Sequence, residues 1–161
     1  MNDMDLILWR HADAGDSTSD AAADFQRRLT DRGRKQAERV GRWLQGRLPE
    51  RYVLIASPAP RAAETAAALG GKLRTDVRLA PGADVADYLA ALNWPGGPEA
   101  RMRHIVLVGH QPTLGRLASL LLAGSEADWS IKKGAVWWLS TREREGQEQV
   151  VLRAAIAPDL A

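Results

Sequence analysis

Four side chains in three separate segments could handle a phosphoryl group together. Arg10 and His11 are adjacent, Arg61 follows a proline, and His110 follows a glycine. An arginine guanidinium offers a planar fork of donors that suits phosphoryl oxygens. A histidine imidazole can act as nucleophile, acid or base near neutral pH. Two of each type indicate phosphoryl transfer through a covalent phosphohistidine, in which the arginines neutralise the equatorial oxygens during in-line attack.

Several other chemistries lack the residues that they need. The chain has no cysteine, which excludes disulfides, thiolate metal sites and a cysteine nucleophile. It also has no glycine-rich phosphate loop of the Walker type and no histidine–carboxylate pattern with metal-ligand spacing. We therefore expect neither a metal ion nor another cofactor. A single histidine at a strand end is more often structural than catalytic, and His104 is interpreted in that way.

Three short apolar runs, interpreted as strands, would position the four side chains. They cover residues 6–9, 52–56 and 105–108, and each is continuous rather than alternating. This pattern is typical of strands that are covered on both faces of a parallel sheet. Each run ends where the candidate residues begin, and ligands bind beyond the carboxyl ends of such strands. We therefore expect the two arginines and the two histidines to meet at one edge of the sheet.

The remaining pattern completes an α/β fold. Apolar spacing, together with start and stop residues, predicts helices over residues 33–48, 60–69, 84–92 and 113–122. Two later strands are expected at 135–140 and 149–156, joined as a hairpin through residues 141–148. The alternation predicts a layered α/β/α fold with a mainly parallel central sheet, in a single domain spanning residues 1–161.

Composition and charge exclude some partners. No apolar run approaches the roughly 20 residues that a membrane helix needs, and the acidic start is unlike a signal peptide. We therefore expect a cytoplasmic protein without a membrane partner. The net charge is +2, but residues 25–51 alone carry nine basic and three acidic residues. This segment could bind nucleic acid or an acidic partner. We favour the solvated face of an amphipathic helix, since its arginines lie opposite an apolar stripe and no aromatic platform interleaves them.

The motifs around these residues resemble those of the histidine phosphatase superfamily, also called phosphoglycerate mutase-like. The family signature Arg-His-Gly after the first strand reads Arg10-His11-Ala12, and the element Ser-Pro-x-x-Arg-Ala-x-x-Thr-Ala is met by residues 57–66. The element Leu-Thr-x-x-Gly-x-x-Gln-Ala is met by residues 29–37, and Gly-His-x-Pro by residues 109–112. Each motif is short, but their order and spacing together are highly specific. The small size and the Arg-His-x-Asp-Ala start are most similar to the SixA-type phosphohistidine phosphatases.

The resemblance implies a role for each candidate residue. His11 would be the nucleophile that forms the phospho-enzyme. Arg10 and Arg61 would bind the phosphoryl oxygens, and His110 would bind the same group and stabilise the transferring charge. Family members work without a metal. Asp13 is a secondary candidate, which could orient a neighbour, transfer a proton or stabilise a turn.

Two features depart from the family pattern. The glycine after the nucleophile is Ala12, which would be strained if the backbone there needed a positive φ. The 42 residues between Arg61 and His104 leave no room for the large cap insertion in which bigger relatives place a proton-donating glutamate. Of the carboxylates in this interval, Asp84 could point into the cleft, although capping of a helix is the favoured interpretation.

The missing acid favours one substrate class. Ester cleavage at neutral pH needs a proton on the alkoxide leaving group, whereas a phosphorylated imidazole leaves as a neutral ring after easy protonation. We therefore expect a phosphohistidine on a phosphorelay or phosphotransfer protein as substrate. The alternatives are a phosphatase for small sugar or nucleotide-like phosphates and a non-catalytic phosphate-recognition module. The four intact site residues argue against the module.

Overall fold

The computed structural model describes residues 3–161 and is built on a six-stranded sheet. The strands are β1 (Met4–Arg10), β2 (Val53–Ala56), β3 (Leu73–Thr75), β4 (His104–Gly109), β5 (Val136–Arg144) and β6 (Gln147–Ile156). Their order in the sheet is β3-β2-β4-β1-β5-β6. The first four in this order are parallel, while β5 and β6 add an antiparallel hairpin beside β1. The expected mainly parallel sheet is confirmed.

Helices connect the strands. They are α1 (Ala21–Phe25), α2 (Asp31–Gln45), α3 (Pro60–Ala67), α4 (Val85–Leu92) and α5 (Thr113–Ala123). Two short 3₁₀ turns, Val77–Leu79 and Pro158–Leu160, complete the elements. Within residues 3–161, no helix combines the length and the apolar character that crossing a bilayer would need.

The helices cover both faces of the sheet, as the continuous apolar strands predict. Ile7 and Trp9 of β1 pack with α2 and α3, while Leu6 and Leu8 of the same strand pack with α4 and α5. All four side chains have no solvent exposure. Successive side chains of a strand point to opposite faces, so a strand buried on both sides has to be apolar throughout.

Element boundaries differ from the sequence expectation in a few places. Helix α2 begins at residue 31 rather than 33, because the Thr30 hydroxyl caps it by accepting from the Gly33 N–H at 3.0 Å. Strand β5 continues to residue 144, and the hairpin turns tightly at Glu145 and Gly146, both with positive φ. Neither β3 nor α1 is among the elements that the sequence predicts, since β3 has only three residues and α1 buries no side chain.

Candidate active site

The carboxyl ends of β1, β2 and β4 bring the sequence motifs together. The His11 N–H donates to the Gly109 carbonyl at 3.2 Å, and the Ser57 N–H donates to the Val108 carbonyl at 3.0 Å. These bonds continue the parallel ladder past the strand ends, so the residues that follow the three strands share one edge. The rings of His11 and His110 consequently lie with their centroids 5.1 Å apart.

His11 is a buried, neutral imidazole with a defined tautomer. Its Nδ1 lies 2.8 Å from the carbonyl oxygen of Ala12. A carbonyl only accepts, so Nδ1 carries the proton and Nε2 keeps its lone pair. Burial lowers the pKa of His11 to about 4, and the charges of Arg61 and Arg10 act in the same direction against the raising effect of the Ala12 hydrogen bond. At neutral pH the ring therefore presents an unprotonated Nε2.

His110 is held by the end of β2. Its Nε2 lies 2.8 Å from Ser57 Oγ, and that hydroxyl accepts the Ala59 N–H at 3.2 Å. The hydroxyl can then donate its own proton to Nε2, which leaves the proton of the ring on Nδ1. Nδ1 is buried and has no hydrogen-bond partner within residues 3–161. Burial, followed by the His11, Arg61 and Arg10 interactions, lowers the pKa of His110 to about 3.

Arg10 and Arg61 bring positive charge to these rings, and within residues 3–161 neither forms an ion pair with a carboxylate, since Asp24 pairs with Arg27 instead. Arg10 Nη1 donates to the Ile131 carbonyl at 2.9 Å, and Arg61 Nη1 donates to the Asp24 carbonyl at 3.0 Å. The Nε of each guanidinium is buried and unpartnered in the described part of the chain. Burial lowers the pKa of both arginines. Arg61 is only 3% exposed, and buried cations with unused donors mark a place prepared for an anion.

The structure adds Arg27, which sequence reasoning missed. Its Nη1 donates to the Ala14 and Gly15 carbonyls, both at 3.1 Å, and its Nε is 2.9 Å from Asp24 Oδ1. Its charge lowers the pKa values of both histidines and of Arg61. The only signal in the sequence is a position just before the Leu29-Thr30 motif.

The residue after His11 fits without strain. The backbone of Ala12 lies outside the left-handed region, so the expected cost of replacing the family glycine does not arise. The Ala12 side chain is fully buried, and its N–H donates to Thr65 Oγ1 at 3.0 Å. Since the Thr65 hydroxyl also donates to the Arg61 carbonyl at 2.7 Å, this one side chain links the His11 segment to α3.

Asp13 is tied to two neighbouring segments. Its Oδ2 accepts the Thr30 hydroxyl at 2.6 Å, and its Oδ1 lies 3.1 Å from Lys133 Nζ. The pKa of Asp13 lies below its ordinary value, mainly because the Thr30 hydroxyl donates to the carboxylate and also because Lys133 is close to it. These contacts fix the segment after His11 against α2 and against the loop before β5.

The other carboxylates that the sequence offered are engaged elsewhere. Asp84 forms a capping box with Asp87 at the start of α4, as favoured from the sequence. Glu64 binds Arg28 at 2.9 Å. His104 lies at the opposite, amino end of the sheet, where its Nε2 is 3.2 Å from Asp5 Oδ2. None of these side chains adds a free acid to the histidine pair.

The comparisons with known proteins agree with this geometry. The sequence model of the histidine phosphatase superfamily (branch 1) matches residues 6–88. The chain is 35% identical over 127 residues to an uncharacterised protein of Picosynechococcus sp., covering 75% of this chain and 74% of the relative. It is 30% identical over 130 residues to the phosphohistidine phosphatase SixA of Escherichia coli, covering 75% of this chain and 76% of the relative.

A solved structure extends the likeness to the whole fold. The protein histidine phosphatase SixA complexed with tungstate superposes with a TM-score of 0.72 at 25% identity, covering 97% of this chain and 98% of that one. Sequence and structure are thus both similar to those of histidine phosphatases, in agreement with the sheet order and with the paired histidines at the carboxyl ends of the strands. This chain belongs to the histidine phosphatase superfamily, in its branch 1, and is SixA-like.

Proposed function

We propose that this protein is a phosphohistidine phosphatase that works through a phosphorylated His11. The observation that carries the proposal is the pair of neutral imidazoles, 5.1 Å apart, beside the buried Arg61 and the half-buried Arg10, whose Nε groups are buried and have no partner in the described residues. Such a site holds a nucleophile and positive charge that no carboxylate of residues 3–161 pairs with directly. A dianionic phosphoryl group supplies the missing charge.

In the first step, Nε2 of His11 attacks the phosphorus in line with the leaving nitrogen. The new P–Nε2 bond forms as the substrate P–N bond breaks, and the bond pair leaves with the substrate imidazole. Arg10 and Arg61 donate to the equatorial oxygens, and the Nδ1–H of His110 donates to the same group. The Ala12 carbonyl keeps the proton of His11 on Nδ1 and stabilises the cationic ring that results.

In the second step, water attacks the phosphorus of phospho-His11 from the side that the substrate imidazole has left. The P–Nε2 bond breaks and its electron pair returns to His11. The oxygen of the attacking water becomes part of the released inorganic phosphate, and one proton of that water goes to solvent. The same cations stabilise both transition states, because charge develops on the same oxygens in each step. The neutral His11 with its low pKa is thereby regenerated.

Within residues 3–161 no free carboxylic acid lies near the rings, which supports a phosphoramidate substrate. Asp13 and Asp24 each already accept charge-assisted hydrogen bonds, from Lys133 and Arg27 respectively. An ester would need a proton on its alkoxide as it leaves. The imidazole of a phosphohistidine is a neutral leaving group once its other nitrogen has taken a proton from solvent, so it depends less on an enzymatic acid.

Turnover of a histidine-phosphorylated phosphotransfer protein, measured beside a panel of sugar and nucleotide phosphomonoesters, tests the proposal. We expect the kcat/KM for the phosphoprotein to exceed that for every ester, and His11→Asn to abolish both activities. Faster ester turnover would make the small-molecule phosphatase the better assignment. Unchanged activity in the His11→Asn variant would exclude His11 as the nucleophile.

A further inference from the structure

A wide cleft of about 910 Å³ lies beside the phosphate site. Arg10 lines it and is the last residue of β1, directly before His11, so the cleft adjoins the histidine pair. One wall is the exposed face of α2, and the other is formed by residues 130–133 and the 3₁₀ turn at Pro158–Leu160. The mechanism proposed above uses only Arg10 of this cleft.

The cleft carries an excess of unpaired positive charge. Arg32, Lys35, Arg39 and Lys132 all line it, are exposed, and have no carboxylate oxygen within 4.0 Å among residues 3–161. Lys133 is paired with Asp13, which leaves Asp159 as the other acidic group in the lining. Like charges on neighbouring turns destabilise an isolated helix by about 0.2–0.5 kcal/mol per pair, so this face gains stability when an anion binds to it.

The spacing of the α2 cations fits an extended partner. Arg32, Lys35 and Arg39 stand at positions i, i+3 and i+7 of the helix. At about 1.5 Å per residue they span about 10 Å. One phosphoryl group is too small to contact such a strip and already has its place between Arg10 and Arg61. A second helix that carries carboxylates at the same spacing matches the strip charge for charge when it lies alongside.

We propose that this basic cleft docks an acidic helix that flanks the phosphohistidine of a protein substrate. The proposal rests on the phosphohistidine phosphatase activity proposed above and names the substrate class of that site. A protein helix whose phosphohistidine enters between the two arginines has its neighbouring turns beside the cleft, because Arg10 belongs to both. Three of the nine basic residues of segment 25–51, namely Arg32, Lys35 and Arg39, thus have a binding role beyond that of a solvated helix face.

The walls of the cleft are fixed in advance, which lowers the entropic cost of docking. Asp13 joins them, since it accepts from Thr30 at the start of α2 and from Lys133 on the opposite wall. The Gln36 side chain accepts the Asp13 N–H at 2.9 Å. A Cβ on Gly33 would lie only 2.0 Å from the Asp13 carbonyl oxygen, so α2 packs against this segment through a glycine.

A matched set of peptides and variants tests the proposal. One helical peptide carries a single phosphohistidine with glutamates at i, i+3 and i+7 on the adjoining face, and its counterpart carries glutamines. The test variant is Lys35→Glu/Arg39→Glu. Its control is Arg51→Glu/Lys72→Glu, which makes the same charge change on two exposed cations. They precede β2 and β3, at the amino ends of the strands and thus away from the candidate site.

We expect wild type and control to hydrolyse the glutamate peptide with a kcat/KM about tenfold above that for the glutamine peptide, because exposed charge pairs each add a modest free energy. The test variant should lose this preference and keep its rate on the glutamine peptide. The preference should shrink as salt rises, since added ions screen exposed charges. Equal rates on the two peptides in wild type, or equal losses on both peptides in the variant, would overturn the proposal.

Two further measurements separate this proposal from the activity on which it rests. If wild type hydrolyses neither phosphopeptide, the proposed phosphatase activity fails. Binding of the unphosphorylated glutamate peptide, followed by fluorescence anisotropy, then tests the cleft alone. Weaker binding to Lys35→Glu/Arg39→Glu than to the control supports the cleft, and equal binding overturns it. A DNA oligonucleotide that binds wild type more tightly than the peptide, and loses that binding in the variant, would reassign the cleft to nucleic acid.

Discussion

Replacing Arg61 by methionine separates the energetic cost of a buried cation from its use in binding. Arg61 is 3% exposed, and the neighbouring charge of Arg27 lowers its pKa while Asp24 acts in the opposite direction. The Asp24 carboxylate is hydrogen-bonded to Arg27 rather than to Arg61. A methionine keeps an unbranched apolar stem in this position and removes the charge. We expect the variant to be more stable than wild type in phosphate-free buffer and to bind phosphate far more weakly.

The magnitudes follow from the contacts of this side chain. Exchanging a buried charge for an apolar group of similar shape often stabilises a protein by about 1–4 kcal/mol. The hydrogen bonds lost from Arg61 Nη1, at 3.0 Å to the Asp24 carbonyl and 3.4 Å to the Phe25 carbonyl, cost little, because the Asp24 carbonyl also accepts the Arg27 N–H at 3.2 Å. We therefore expect the free energy of unfolding to rise by about 1–3 kcal/mol. Two charge-assisted hydrogen bonds of about 1.5–3 kcal/mol each leave with the guanidinium, so phosphate affinity should fall by about a hundredfold or more.

Urea unfolding with and without phosphate measures both effects. At a phosphate concentration of about 100 times the wild-type Kd, wild type should gain about 2.7 kcal/mol, and Arg61→Met should gain no more than about 0.4 kcal/mol. The control is Arg74→Met, which removes an exposed arginine 3.4 Å from Glu99 and should change stability by less than about 1 kcal/mol. Lower stability of Arg61→Met than of wild type without phosphate would contradict this expectation, as would stabilisation of the variant by phosphate to the same extent as wild type.

Three more predictions follow from the geometry of the site. The pKa values of His11 and His110, about 4 and about 3, lie below the ordinary histidine value of 6.5, so the unfolded chain binds more protons than the folded chain between these values. The free energy of unfolding should therefore fall as the pH drops from 6.5 towards 4, by up to about 2.7 kcal/mol per pH unit for the two groups together. A His11→Asn/His110→Asn variant should lose this slope in pH-dependent urea titrations. Gly33→Ala, whose Cβ would meet a backbone oxygen at 2.0 Å, should cost more than about 3 kcal/mol in urea unfolding, whereas Gly46→Ala has its nearest neighbours at 3.8 Å and should be tolerated. Arg27→Gln should raise the pKa of both histidines, as followed by proton NMR, because it removes a cation that lowers them.

The meeting of the histidine motifs could be predicted because strand direction decides it. The three apolar runs each end at a polar motif, and parallel strands place these ends at one edge. His11 and Ser57 continue the hydrogen-bond ladder with β4 beyond the strands, so their position needs no information beyond sheet topology. The same reasoning could not give the tautomer of His11, which depends on the Ala12 carbonyl.

Arg27 could not be predicted because its position is set by tertiary contacts. It follows the five-residue helix α1, and it is held by the carbonyls of Ala14 and Gly15, thirteen and twelve residues away in sequence. No apolar period runs through this segment. The basic cleft was missed for a related reason, since helical spacing shows that Arg32, Lys35 and Arg39 share a face but does not show which other segment faces them.

The partner of His104 was also missed. The sequence indicated a structural residue at the start of a strand, and the structure places Asp5 at its side in the parallel register of β1 and β4. Asp5 also accepts from the Trp138 indole at 3.0 Å and from Arg153 at 2.9 Å. This buried carboxylate thus joins β1, β4, β5 and β6, and it becomes visible only when the strand order is known.

Trapping of the phospho-enzyme tests the central claim most directly. The enzyme is mixed with a phosphohistidine-bearing protein labelled in its phosphoryl group, quenched in base within the first turnover, digested and analysed by mass spectrometry. We expect label on Nε2 of His11, stable to base and lost in acid, and none on the chain of His11→Asn. Complete turnover with no label on His11, or label on another residue, would contradict the account.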